Sequence, residues 1–158
     1  MPFKNFSIWR GRLPHWRADD VVYYVTFRYR RILLDDERQI MLRLLMKADG
    51  SKWDIVAASV GVEETEVIFR VRCSPSGKPA EIADIVEPAK RKAGRQIMAK
   101  TGEHYPPFYV ESFDRIIRDE TELEERLSQI IGKALEDEGH EDPRDCLFLW
   151  LGEEATEA

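Results

Sequence analysis

The residues best placed for chemistry are two carboxylates two positions apart, Glu64 and Glu66. They lie in a stretch that predicts two β-strands, 52–60 and 64–72, joined by a tight connection. Because side chains alternate along a strand, both carboxylates point to the same face of the predicted sheet. Two oxygen ligands on one face are acceptable to Mg²⁺ or Mn²⁺. The first hypothesis is therefore a metal site on this pair.

Ion pairing is the alternative role for the same pair, and it is the one we favour. Without a metal, two carboxylates about 6 Å apart repel each other by roughly 3 kcal/mol at an effective dielectric constant of about 20. Arg28 and Arg70 lie on neighbouring predicted strands and could relieve this repulsion across the sheet.

Cations recur where a phosphate backbone could be bound. Basic residues alternate with tryptophan and histidine in the N-terminal arm, residues 1–20, which suits phosphate contacts combined with base stacking. For the arm, the competing explanation is that it packs on the domain. For the cluster Lys90, Arg91, Lys92 and Arg95, the competing explanation is a solvated helix face. The predicted nucleic-acid-binding residues are Arg10, Arg12, His15, Trp16, Arg17, Arg28, Arg30, Arg70, Arg72, Lys90, Arg91, Lys92 and Arg95.

Composition indicates a globular protein with one domain, residues 21–151, followed by a disordered tail, 152–158. The chain has 158 residues, of which 43% are hydrophobic and 34% charged, and it contains no apolar run long enough to span a membrane. Its two cysteines fit reduced thiols in the cytoplasm. The net charge of −6 divides into +6 for residues 1–100 and −12 for the remainder. A basic face is therefore compatible with an acidic protein.

The order of predicted elements indicates an α+β fold. The predicted strands are 21–29, 52–60, 64–72 and 108–116, and the predicted helices are 35–48, 80–100 and one capped by Asp119. Asp35 is expected to cap the first helix, and Pro88 to kink or split the second. This order is typical of a ferredoxin-like four-stranded antiparallel sheet with two helices on one face, here with an additional C-terminal helix. The other face of the sheet would then be an open platform.

Two blocks resemble a known family. RGRLPHWRADDVVYYVTFRYR resembles the opening of the REP-associated tyrosine transposases, relatives of the single-tyrosine transposases of small insertion sequences. KTGEHYPPFYVESFDRIIRDETELEERLSQI resembles the later strand and acidic helix of that family, and EDPRD its C-terminal segment. The resemblance implies a ferredoxin-like domain, linked to DNA transposition, that acts on single-stranded or hairpin DNA. Family members cleave with a tyrosine and with a divalent metal held by a His-hydrophobic-His triplet on the third strand.

The chain departs from this family pattern at every catalytic position. The histidine triplet falls on Glu64-Thr65-Glu66, the nucleophile on Ala89, and a further ligand position on Ala93. The resemblance therefore implies a catalytically inactive domain, without a cofactor, that binds single-stranded or hairpin DNA and does not cleave it. Two alternatives remain open: a nuclease that uses Mg²⁺ or Mn²⁺ on Glu64 and Glu66, and a protein-interaction module without DNA binding.

Overall fold

The computed structural model describes residues 21–47, 53–71 and 86–152. The strands are β1 Val21–Arg28, β2 Trp53–Val60, β3 Glu64–Val71, β4 Phe113–Ile117 and β5 Leu149–Leu151. The helices are α1 Asp35–Met46, α2 Val86–Thr101 and α3 Glu120–Glu138, and a short 3₁₀ turn spans Pro143–Asp145. No helix within the three described segments is long and apolar enough to cross a membrane. The fold class is α+β, as the element order predicted.

The strands form one antiparallel sheet in the order β4-β1-β3-β2-β5. β1 and β3 pair along their full length, from Val21 opposite Val71 to Arg28 opposite Glu64. The prediction that the first and third strands are neighbours is confirmed. The prediction of four strands is wrong, because the apolar C-terminal segment adds β5 to the outer edge of β2. β5 has only three residues, which is too short for a period-two pattern to reveal it.

One face of the sheet is buried under α1 and α2. The β-strand side chains that alternate toward this face include Val25, Phe27, Val67 and Phe69, each at most 2% exposed. They pack with the buried stripes of the two helices, which include Met41, Leu45, Ala89, Ala93 and Ile97. This is the core that the alternation along β1 and β3 predicted.

The other face is not the open platform that the sequence indicated. Helix α3 lies across it, and its apolar stripe forms a second core with Val22, Tyr24 and Ile68 of the central strands. A helix of 19 residues with six buried apolar side chains must cover an apolar surface, and this face supplies it. The end of the face around Arg28 and Glu64 lies outside this second core, and most of β4 is exposed.

Two local predictions differ from the structure at helix and strand ends. Leu34, rather than Asp35, is the N-cap of α1, and Asp35 lies in the first turn. The expected kink or split at Pro88 stays a prediction, because the segment that precedes Val86 lies outside the described residues. β4 begins at Phe113, five residues later than predicted, because only a single bridge between Tyr29 and Phe108 pairs the preceding segment.

The predicted start of the C-terminal helix is confirmed. The carboxylate of Asp119 accepts a hydrogen bond from the backbone N–H of Glu122 at 2.8 Å, and the Glu122 side chain accepts one from the backbone N–H of Arg118. Such reciprocal capping satisfies backbone donors that the first helical turn leaves without partners. It fixes the position at which α3 starts to cross the sheet.

Candidate nucleic-acid interface

The carboxylate pair is held by groups from β1 and α3. Lys133 donates from Nζ to Glu64 Oε1 at 2.9 Å, and Thr26 donates from Oγ1 to Glu64 Oε2 at 3.2 Å. Tyr24 donates its hydroxyl to Glu66 Oε1 at 3.0 Å. The ion pairing that we favoured from the sequence is therefore present at Glu64, but its bonded cation comes from α3 and not from an arginine on a strand, and Glu66 is hydrogen-bonded to a tyrosine instead.

The pKa values of the two carboxylates are shifted in opposite directions. Burial raises the pKa of Glu66 above its usual value, and its hydrogen bond from Tyr24 only partly offsets this effect. Burial also acts on Glu64, but the hydrogen bonds from Lys133 and Thr26 and the charge of Lys133 outweigh it and lower the pKa of Glu64. Burial, together with the nearby Glu66 carboxylate, raises the pKa of Tyr24, which therefore remains a donor. The cluster holds one firmly ionised carboxylate beside a lysine.

These residues do not fit the divalent metal that the family resemblance implies. An ammonium group is already bonded to one carboxylate, and burial raises the pKa of the other. Within the described segments, no group of three or more His, Cys, Asp or Glu side chains could hold a metal ion. A divalent ion would have to displace Lys133 and then bind with two protein ligands.

The position assigned to the nucleophile does not face the carboxylates. Ala89 and Ala93 lie on α2, which covers the opposite face of the sheet, and both are buried in that core. The helix that does face Glu64 and Glu66 is α3, through Lys133. Ala89 therefore lies away from Glu64 and Glu66, and its correspondence with the family nucleophile stays a prediction. No tyrosine occurs in the sequence of α3.

The accessible end of the sheet combines cations with aromatic rings. Arg28 and Arg30 are exposed, and the Arg30 guanidinium lies 5.6 Å from the ring centre of Tyr105 and 5.9 Å from that of Tyr109. These two rings are 70% and 50% exposed, and Phe113, which pairs with Thr26 across β1 and β4, is 61% exposed. We call Arg28, Arg30, Tyr105, Tyr109 and Phe113 the sheet-end surface.

Two of the cations predicted to bind nucleic acid are buried. Arg70 is 4% exposed and lies on the sheet face that α3 covers. Lys90 is 5% exposed, donates from Nζ to the backbone oxygen of Val110 at 3.0 Å, and lies 4.9 Å from the ring centre of Phe27. Burial lowers the pKa of Lys90. Because both side chains are buried, neither is accessible to a phosphate.

The remaining predicted cations divide into two groups. Arg91, Lys92 and Arg95 are exposed on α2, as expected, but on a different element from the sheet-end surface. The predicted residues Arg10, Arg12, His15, Trp16, Arg17 and Arg72 lie outside the described residues, as does the predicted tail apart from Gly152.

Sequence reasoning missed two parts of this region. Lys133 was assigned no role. It lies seven residues after Arg126, on the same helix face. The guanidinium of Arg126 lies 4.7 Å from the ring centre of Tyr24. A pair of cations beside an apolar stripe could have indicated that α3 approaches carboxylates. Tyr105 and Tyr109 were not among the predicted site residues. Their positions on either side of Pro106 and Pro107 could have indicated exposed rings.

Glutamine substitutions at the two carboxylates should change stability in opposite directions. Because the pKa of Glu66 is raised in the folded state, its ionised form opposes folding at neutral pH, and Glu66→Gln should raise Tm at pH 7. The lowered pKa of Glu64 means that its stabilising contribution is present above the unfolded pKa of about 4.3 and is lost as pH falls through the folded pKa. Glu64→Gln should therefore lower stability at pH 7, by up to about 1 kcal/mol for a partly exposed ion pair.

Thermal melting of both variants between pH 7 and pH 4 measures these effects. The advantage of Glu66→Gln over the wild type should shrink as pH falls through the raised pKa of Glu66, because the wild-type carboxyl then becomes neutral as well. Equal shifts of the same sign in the two variants would contradict the proposed electrostatics.

Comparison with known proteins supports the fold class. The structure of a REP-associated tyrosine transposase bound to a REP hairpin matches with a TM-score of 0.56 and 15% sequence identity, over 87% of this chain and 82% of the other. A candidate transposase from Deinococcus radiodurans R1 matches over 77% of this chain and 97% of its own, with a TM-score of 0.47 and 13% identity. No protein-family model and no curated protein sequence match. The first match confirms, at the level of fold, the resemblance to REP-associated tyrosine transposases.

Proposed function

We propose that this protein binds single-stranded or hairpin DNA through the sheet-end surface and does not cleave it. The observation that carries this proposal is the combination of Arg28 and Arg30 with three exposed aromatic rings at one end of the sheet. Arginine neutralises phosphates, and an aromatic ring stacks on any base that is not already paired within a duplex. Each stacked base contributes about 1–3 kcal/mol, so even two rings would matter to affinity.

The fold supports a DNA ligand. A protein with the same fold is bound to a REP hairpin. We further infer that the four strands in the order β4-β1-β3-β2 form a ferredoxin-like unit, to which β5 is added at one edge. We also infer a cytoplasmic location, in agreement with the expectation of reduced cysteines.

The proposal of catalytic inactivity is supported by the groups that face each other across the covered face. The family chemistry needs a nucleophile and a metal close to one phosphate. Here α3 presents Lys133 to Glu64, and α3 contains no tyrosine. A nuclease built on Glu64 and Glu66 would need to displace this lysine, so the geometry favours binding over the metal-dependent alternative.

DNA binding is tested by fluorescence anisotropy with a labelled hairpin, a single strand of equal length and a blunt duplex. At about 100 mM salt we expect the hairpin and the single strand to bind, with a log–log salt slope of roughly −0.7 per phosphate contact on the single strand. Absence of binding to all three would overturn the proposal in favour of a protein-interaction module.

Catalytic inactivity is tested by incubating the purified protein with the same hairpin and single strand in Mg²⁺ or Mn²⁺. We expect neither a nicked product nor a covalent protein–DNA species on a denaturing gel, because α3, the helix that faces the carboxylates, contains no tyrosine. A covalent species would refute inactivity, and peptide mapping would then identify the attacking residue. A metal-dependent nick without a covalent species would favour the nuclease built on Glu64 and Glu66.

A further inference from the structure

A cleft of about 440 Å³ opens between the end of β1 and the start of β3. Its lining residues are Arg28, Tyr29, Arg31, Ile32, Glu63, Glu64 and Tyr109. The volume lies within the range of about 300–1,000 Å³ that is typical of small-ligand sites. The cleft adjoins the sheet-end surface through Arg28 and Tyr109. It is therefore large enough for a single nucleobase at the edge of a DNA-binding surface.

Two walls of the cleft are fixed by ion pairs. Arg31 donates to Glu37 on one side, at 2.6 and 2.8 Å, and to Glu103 on the other, at 2.5 and 3.0 Å. Glu64 is held by Lys133. Because Glu37 is 1% exposed, the bridge through Arg31 is anchored in the core at one end. These groups shape the cleft but are already engaged, so they do not select a ligand.

Three other groups of the cleft are exposed. The side chains of Arg28 and Glu63 make no direct hydrogen bond or salt bridge within the described segments, and the charge of Arg28 helps to lower the pKa of Glu64. The Tyr109 ring is 50% exposed and is held beside Arg28 by the hydrogen bond from its backbone N–H to the Arg28 carbonyl at 3.0 Å. A cation, an aromatic face and a carboxylate thus line one small cleft.

We propose that this cleft binds one unpaired guanine of a DNA strand. Tyr109 stacks on the base, Arg28 contacts a phosphate, and the Glu63 carboxylate accepts hydrogen bonds from the Watson–Crick edge of the base. Guanine alone presents two adjacent donors, N1–H and the N2 amino group, to a carboxylate with two acceptor oxygens. Adenine and cytosine present one donor beside an acceptor, which a carboxylate repels. This inference rests on the proposed function and adds base selectivity to it.

The test compares labelled ten-nucleotide oligothymidylates that carry one central guanine, adenine, cytosine or hypoxanthine. Hypoxanthine keeps the N1–H of guanine and lacks the N2 amino group, so it isolates the second hydrogen bond. We expect the guanine strand to bind about tenfold more tightly than the other three, within the range for a bidentate base contact. Glu63→Gln should reduce this ratio to about one, because the amide has a single acceptor oxygen.

The matched control is Glu111→Gln, which neutralises an exposed glutamate outside the cleft and should keep the tenfold ratio. Equal affinity of the wild type for all four strands would overturn the guanine site and leave DNA binding intact. A preference for another base, or a guanine preference that survives Glu63→Gln, would also overturn it. If no strand binds at all, the proposed function fails together with the site.

Discussion

Replacing Arg28 and Arg30 by glutamate should abolish binding of hairpin and single-stranded DNA at about 100 mM salt. Both arginines are exposed at the sheet-end surface. Unit charges 4 Å apart interact by about 1 kcal/mol in water, so each reversal loses about 1 kcal/mol of attraction and adds about 1 kcal/mol of repulsion. Two reversals therefore cost about 4 kcal/mol, or about a thousandfold in affinity.

The control for this variant reverses two other exposed arginines, Arg43 on α1 and Arg144 in the 3₁₀ turn. Both double variants change the net charge by −4, so a general electrostatic effect would weaken binding equally in the two. We expect the control to bind almost as the wild type does, and anisotropy titrations measure both. Equal loss would show that the sheet-end surface is not the contact. Lys90 is unsuited to such a test, since its reversal would bury a carboxylate against Phe27.

The central strands were predictable because their side chains have to alternate. β1 and β3 each place apolar residues on the α1/α2 face, and this pattern survives any change of tertiary context. The capping of α3 by Asp119 was predictable for a similar reason, since it depends on residues within one helical turn. Alternation along β3 also placed Glu64 and Glu66 correctly on one face of the sheet.

The environment of that face was not predictable from local patterns. Alternation shows which side chains share a face, but it does not show whether another element covers them. Arg70 and Glu66 share their face with Tyr24, yet α3 covers most of it. This docking depends on contacts between distant parts of the sequence, such as that of Lys133 with Glu64, 69 residues apart. Lys90 shows that local patterns are equally insufficient on a helix. A cluster of basic residues indicates an exposed helix face, but the Lys90 side chain is buried against the ring of Phe27.

The second large expected effect is a loss of stability when a side chain of α3 that is buried against the sheet is truncated. Leu127 is fully buried in the centre of the α3 core, and its truncation to alanine should lower the free energy of unfolding by about 2–5 kcal/mol, the range for a buried leucine. Gln129, two residues later on the exposed side of the helix, is the matched control, and Gln129→Ala should change stability by less than about 0.5 kcal/mol. Chemical denaturation at pH 7 measures both values.

The outcome for Leu127 decides whether the second face of the sheet is a covered core or an accessible platform. If the face were open to DNA, as a four-stranded sheet with a free face implies, α3 would contribute little to the core and both substitutions would have small effects. A loss of several kcal/mol confined to Leu127→Ala means that α3 is part of the folded unit. Its packing then holds Lys133 against Glu64, and DNA is restricted to the surface that α3 leaves uncovered.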